Sequence, residues 1–80
     1  MQAEYYLYSS EGCHLCEQAL QMCNPFIANG KLSVIDIVEQ EELVEQYGVH
    51  IPVLERLDNG EKLYWPFTPH QINELITEWN

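Results

Sequence analysis

Residues 32–38, Leu-Ser-Val-Ile-Asp-Ile-Val, constrain this chain more than any other stretch. They are almost continuously apolar and β-branched, the pattern of a strand covered on both faces. Such strands belong to parallel pairs, which need an earlier strand and a crossover helix. Both are present upstream. Residues 4–8, Glu-Tyr-Tyr-Leu-Tyr, are rich in β-forming aromatics and predict a first strand. Ser9-Ser10-Glu11-Gly12 then predicts a turn, and a helix starts at or near Cys13 with Leu15, Ala19, Leu20, Met22, Cys23 and Phe26 at helical spacing. Pro25 must kink that helix or begin a short turn capped by Asn24, and Asn29-Gly30 stops it.

The second half predicts a short acidic helix over 41–47, with Gly48 as its C′ residue. Strands follow over 53–57 and 61–65, joined by the Asp58-Asn59-Gly60 turn. Thr68-Pro69 supplies an N-cap and a proline at the first helical position of a last helix. Its inner stripe is Ile72, Leu75, Ile76 and Trp79. The expected class is α/β: βαβ, a short helix, then ββα, forming a four-stranded mixed sheet with helices on both faces. Eighty residues without repeat or linker predict one domain over 1–80.

Charge narrows the function. Thirteen Asp and Glu face only Lys31, Arg56 and Lys62, a formal net charge of -10. No basic stripe exists to neutralise phosphates, which argues against nucleic acid and against an anionic membrane surface. The apolar runs are too short to cross a bilayer, and no secretory signal follows Met1, so the expected compartment is the cytoplasm. Three cysteines there point to catalysis, metal binding or burial rather than structural disulfides.

Cys13-His14-Leu15-Cys16 is the segment with chemistry in it. A C-x-x-C that opens a helix sets the first sulfur over unpaired backbone N–H groups, which favour thiolate over thiol. Glu11 and Glu17 oppose that effect, but exposed carboxylates are screened, so a modest net depression of the Cys13 pKa is expected. The second cysteine lies within one turn and can resolve a mixed disulfide. Cys13 is the expected nucleophile and Cys16 the resolving thiol. No organic cofactor or metal is required. A zinc site would need four ligands from Cys13, Cys16, Cys23 and the histidines, without a second C-x-x-C or an H-x-x-x-H spacing, and stays a minor alternative. An iron–sulfur cluster bridged between two copies is another.

The run from Tyr8 to Cys16 resembles the active-site segment of the glutaredoxin-like branch of the thioredoxin superfamily. Tyr47-Gly48-Val49-His50-Ile51-Pro52-Val53-Leu54 is similar to that superfamily's second signature. The resemblance implies a thioredoxin fold, a cis peptide before Pro52 beside the C-x-x-C, and an Ile51 backbone that pairs with an incoming peptide or glutathione. It also implies thiol–disulfide oxidoreductase activity. Typical glutaredoxins hold glutathione with a basic residue near the nucleophile and a glycine pair before the last helix. Here that stretch reads Tyr64-Trp65-Pro66-Phe67-Thr68-Pro69, and the cysteine loop has no Lys or Arg. Glutathione therefore enters only as a disfavoured co-substrate.

Other side chains receive narrower expectations. His14 tunes the thiolate and lies where substrate binds, and Pro52 with Ile51 orients the substrate; Tyr5, Tyr6 and Tyr8 are first of all strand packing, with a rim contact to substrate as the second reading of Tyr8. His50 either lines the groove or faces solvent, and His70 is surface. Cys23, two turns beyond Cys16, is read as a small core residue. Trp65, if exposed, would mark a partner site. Glu39, Glu41, Glu42 and Glu45 form a solvated face or a dock for a basic protein. The expected partner is a disulfide-containing protein or a low-molecular-weight thiol, met by a monomer. The competing class is a non-enzymatic binding module with inert cysteines.

Overall fold

A computed structural model describes residues 3–77. The order is β1 (Tyr5–Ser9), α1 (His14–Cys23), β2 (Leu32–Asp36), α2 (Glu41–Tyr47), β3 (Val53–Arg56), β4 (Lys62–Tyr64) and α3 (Pro69–Thr77). Short 3-10 turns, Asn29–Lys31 and Ile37–Glu39, flank β2. The sheet runs β2-β1-β3-β4, with β1 parallel to β2 and antiparallel to β3, and β3 antiparallel to β4. This is the expected four-stranded mixed sheet, and the fold is thioredoxin-like.

Strand alternation divides the core. Tyr5, Leu7 and Leu54 face α1 and α3, where Ala19, Cys23, Ile27, Phe67, Ile72 and Leu75 close over them. Tyr8 and Val53 point to the other face and pack with Ile37 and Tyr47, the last residue of α2. Helices therefore cover both faces, two on one and one on the other. α1 ends at Cys23 with Asn24 as its C-cap, and Pro25 belongs to a turn in which Phe26 and Ile27 N–H groups both reach the Cys23 carbonyl. α3 begins with a reciprocal cap: Gln71 N–H donates to Thr68 Oγ1 at 3.2 Å and Thr68 N–H to Gln71 Oε1 at 2.9 Å. Ile72 and Leu75 are its buried stripe, Ile76 is half-buried, and Trp79 lies outside the described residues.

Two expectations need correction. β2 is not sandwiched. It is an edge strand with no buried residue, and Val34 is 49 % exposed. The run also ends early, because the Asp36 carboxylate accepts the Val38 N–H at 3.0 Å and turns the chain. Gly48 is not a left-handed C′ residue either. Its φ is -50°, and it is glycine because a Cβ there would collide with the Val44 backbone carbonyl oxygen. Among the described residues no helix is long and apolar enough to cross a membrane.

Candidate functional site

β1 delivers the chain to the site through a tight turn. Cys13 N–H donates to the Ser10 carbonyl at 3.3 Å, and Gly12 between them has φ +81°, a left-handed conformation that glycine adopts without steric cost. Cys13 is then the N-cap of α1. Its backbone is extended, its Sγ accepts the Cys16 N–H at 3.1 Å, and its carbonyl accepts the Glu17 N–H at 3.2 Å. A sulfur thus takes the capping position usually held by a Ser, Thr or Asp oxygen. Cys13 and Cys16 are joined as a disulfide with Cα atoms 5.2 Å apart. Cys13 is half-buried, whereas Cys16 is only 5 % exposed. His14 and Leu15, between them, are exposed.

The second loop comes to the same end of the sheet. Tyr8 pairs with Val53, so Pro52 follows on beside Ser9, where the cysteine loop departs. The Ile51-Pro52 peptide is cis, and so is Trp65-Pro66, which the sequence reading does not anticipate. The Ile51 N–H already donates to the Tyr47 carbonyl at 3.1 Å, leaving its carbonyl as the group to consider for pairing with another chain. The Pro52 ring is fully buried and presents no face to a substrate. Its influence is on the path of the loop.

Tyr8 does not reach the rim. It is 6 % exposed, stacks on Tyr47 with ring centroids 4.4 Å apart, and donates its hydroxyl to Glu55 Oε1 at 2.6 Å. Burial first, and then that carboxylate, push its pKa upward. The exposed aromatic at this end of β3 and β4 is Tyr64, opposite Val53, with its ring edge-on to His50 at 5.4 Å. Val49, 92 % exposed, precedes that histidine. Neither residue is singled out by the sequence reading, although Tyr64 follows from hairpin alternation once Leu63 is assigned inward.

A cavity of about 280 Å³ opens on the other flank of the cysteine pair. Leu7, Leu20 and Val34 give it an apolar lining, which Cys13, Cys16 and the exposed Glu11 and Glu17 share. Cys23 is fully buried, and burial raises its pKa to about 11. Trp65 is half-buried and packs edge-on against Phe67 at 5.1 Å, so it belongs to the first core cluster. His70 is exposed, 3.4 Å from Glu74. Glu39, Glu41, Glu42 and Glu45 all face solvent. Among the described residues no group of three or more His, Cys, Asp or Glu side chains lies close enough to hold a metal ion.

Residues 4–77 match the Glutaredoxin-like domain (DUF836). The chain belongs to this glutaredoxin-like family. Solved structures agree. The X-ray structure of the structural-genomics target XcR50 from X. campestris is 29 % identical, with a TM-score of 0.79 over 90 % of this chain and 93 % of that one. Its solution structure has a TM-score of 0.78, with 91 % of each chain covered. Protein Ne2328 from Nitrosomonas europaea, solved by NMR, is 27 % identical with a TM-score of 0.75, covering 90 % of this chain and 88 % of its own. No curated protein matches. The glutaredoxin-like chain is a redox-type, thioredoxin-fold module with a C-x-x-C pair at disulfide distance.

Proposed function

We propose that this glutaredoxin-like protein exchanges dithiols for disulfides through Cys13 and Cys16. The observation that carries the reading is the asymmetry of the pair. Cys13 Sγ occupies the cap of α1 and is partly exposed, while Cys16 is buried one turn behind it. Backbone N–H groups at a helix start favour a thiolate there. In the reduced protein the Cys13 thiolate attacks one sulfur of a substrate disulfide, and the other sulfur leaves as a thiolate that takes up a proton. Cys16, as its thiolate, then attacks Cys13 Sγ. The Cys13–Cys16 bond forms and the second substrate thiol leaves. The two electrons gained by the substrate are those given up by the pair.

His14 and Leu15, exposed inside the loop, meet the substrate first, and the Val49-His50-Ile51 loop with Tyr64 forms the opposite rim. The substrate is a disulfide-containing protein or a small disulfide, reached from a reducing, cytoplasmic compartment by a monomer that needs no organic cofactor or metal. Titration across redox buffers with thiol trapping and mass mapping tests the reading. One reversible transition confined to Cys13 and Cys16, and loss of exchange in Cys13→Ser, are the expected results. Exchange that survives Cys13→Ser unchanged overturns the assignment. A pair that never interconverts marks a binding module with inert cysteines.

A further inference from the structure

The strand register sorts charge along the sheet. Lys31 precedes β2 and pairs with Glu4 at 2.9 Å, Arg56 sits opposite Tyr5 and bonds Asp58 at 2.7 Å, and Lys62 sits opposite Glu55, 4.0 Å from its carboxylate. All three Lys and Arg residues of the chain therefore lie toward the end where β1 begins, each beside a carboxylate. The cysteine pair lies at the end where β1 finishes. There the cavity beside Cys13 and Cys16 is lined by Glu11 and Glu17, and the register adds Asp36 opposite Ser9. No Lys or Arg lines that cavity among the described residues. At about 280 Å³ it has room for one side chain or short arm.

We propose that Glu11 and Glu17 make the exchange selective for disulfides flanked by cationic groups, one such group resting in the cavity mouth while Cys13 attacks. The inference rests on the dithiol reading above and names its substrate class. A cleft with charge of one sign raises the local concentration of the opposite sign and depletes its own. Three of the lining residues are apolar, which suits an ammonium or guanidinium carried on an alkyl stem, since such stems pack on apolar surface with the head in water. Dianionic disulfides meet repulsion at the same mouth.

The test is single-turnover oxidation of the fully reduced protein by cystamine, by bis(2-hydroxyethyl) disulfide and by 3,3′-dithiodipropionate. Each rate is divided by that of dithiothreitol with the same compound, which removes intrinsic leaving-group differences. The cation-to-anion ratio of normalised rates should be about tenfold at ~10 mM salt, where charges act over ~30 Å. It should fall below about twofold at ~1 M, where they act over ~3 Å. The Glu11→Gln/Glu17→Gln variant should lower the low-salt ratio by about threefold. A ratio near one, a ratio indifferent to salt, or one untouched by the double substitution overturns the selectivity while leaving dithiol exchange standing. Failure of all three disulfides to oxidise the pair overturns both.

Discussion

Replacing Tyr8 by Phe separates a core residue from a substrate contact. The change removes one oxygen and keeps the ring, so stacking on Tyr47 at 4.4 Å survives. What disappears is the 2.6 Å bond to Glu55, a charge-assisted contact that such pairs make worth ~1.5–3 kcal/mol. Glu55 is not stranded by the loss. Its side chain is 17 % exposed, and Lys62 lies 4.0 Å away, so some compensation follows. A destabilisation of about 1–2 kcal/mol results, which for a domain of this size lowers Tm by roughly 5–15 °C. Thermal melts followed by circular dichroism read the first number, and turnover of bis(2-hydroxyethyl) disulfide below the melting range reads the second. Exchange should stay within about twofold of the parent, an energy difference below ~0.5 kcal/mol. An unchanged Tm with a large fall in exchange would refute the reasoning and return Tyr8 to the substrate.

Two other sites give independent checks. Gly48→Ala forces a Cβ into the Val44 backbone carbonyl, which cannot rotate away, and should cost about 1–3 kcal/mol by chemical denaturation; an alanine variant as stable as the parent would refute that close approach at the end of α2. Cys23 sets an alkaline limit on stability. Its thiol is raised from the ordinary 9.0 to about 11 by burial, so between those values the unfolded chain releases a proton that the folded chain keeps. The contribution of this thiol is therefore level below pH 9 and is lost as pH rises toward 11, by at most about 3 kcal/mol, with Tyr8 adding to the loss from pH 10 upward. Denaturation curves of the parent and Cys23→Ala between pH 8 and 10 should differ in slope, the variant being flatter; parallel curves would deny the burial of the thiol.

Local pattern carried most of the fold. The aromatic first strand, the C-x-x-C at a helix start and the Thr68-Pro69 cap each read correctly because the responsible contacts lie within a few residues. What failed was set by distance along the chain. Leu32, Val34 and Ile35 look doubly covered, but strand order leaves β2 at the edge, and no periodicity encodes that order. Tyr8 sits next to the turn that leads to the cysteines, yet its side chain is claimed by Glu55, 47 residues on. Gly48 announces a helix end by composition, while its real constraint is the approach of one carbonyl. Val49 lies inside the second signature and Tyr64 at the end of β4, but neither residue type marks a site by itself. They become candidates only when the hairpin register places Tyr64 opposite Val53 and beside His50.

The three cysteines lie on one helix, and burial alone distributes their chemistry. Cys13 is at the cap and partly exposed, Cys16 is buried one turn below, and Cys23 is sealed beneath two further turns at 0 % exposure. With a pKa of about 11, Cys23 holds roughly one thiolate in ten thousand at pH 7, against about one in a hundred for a thiol at the ordinary 9.0. The gap in attacking species is therefore of order a hundredfold before access is considered, and access to Cys23 requires opening the core cluster around Ala19, Ile27 and Ile72. A third thiol near a reactive pair would otherwise compete as a resolving group. Here it is sealed in the core away from Cys13, so on the proposed dithiol reading native-state oxidation is expected to close the Cys13–Cys16 bridge alone.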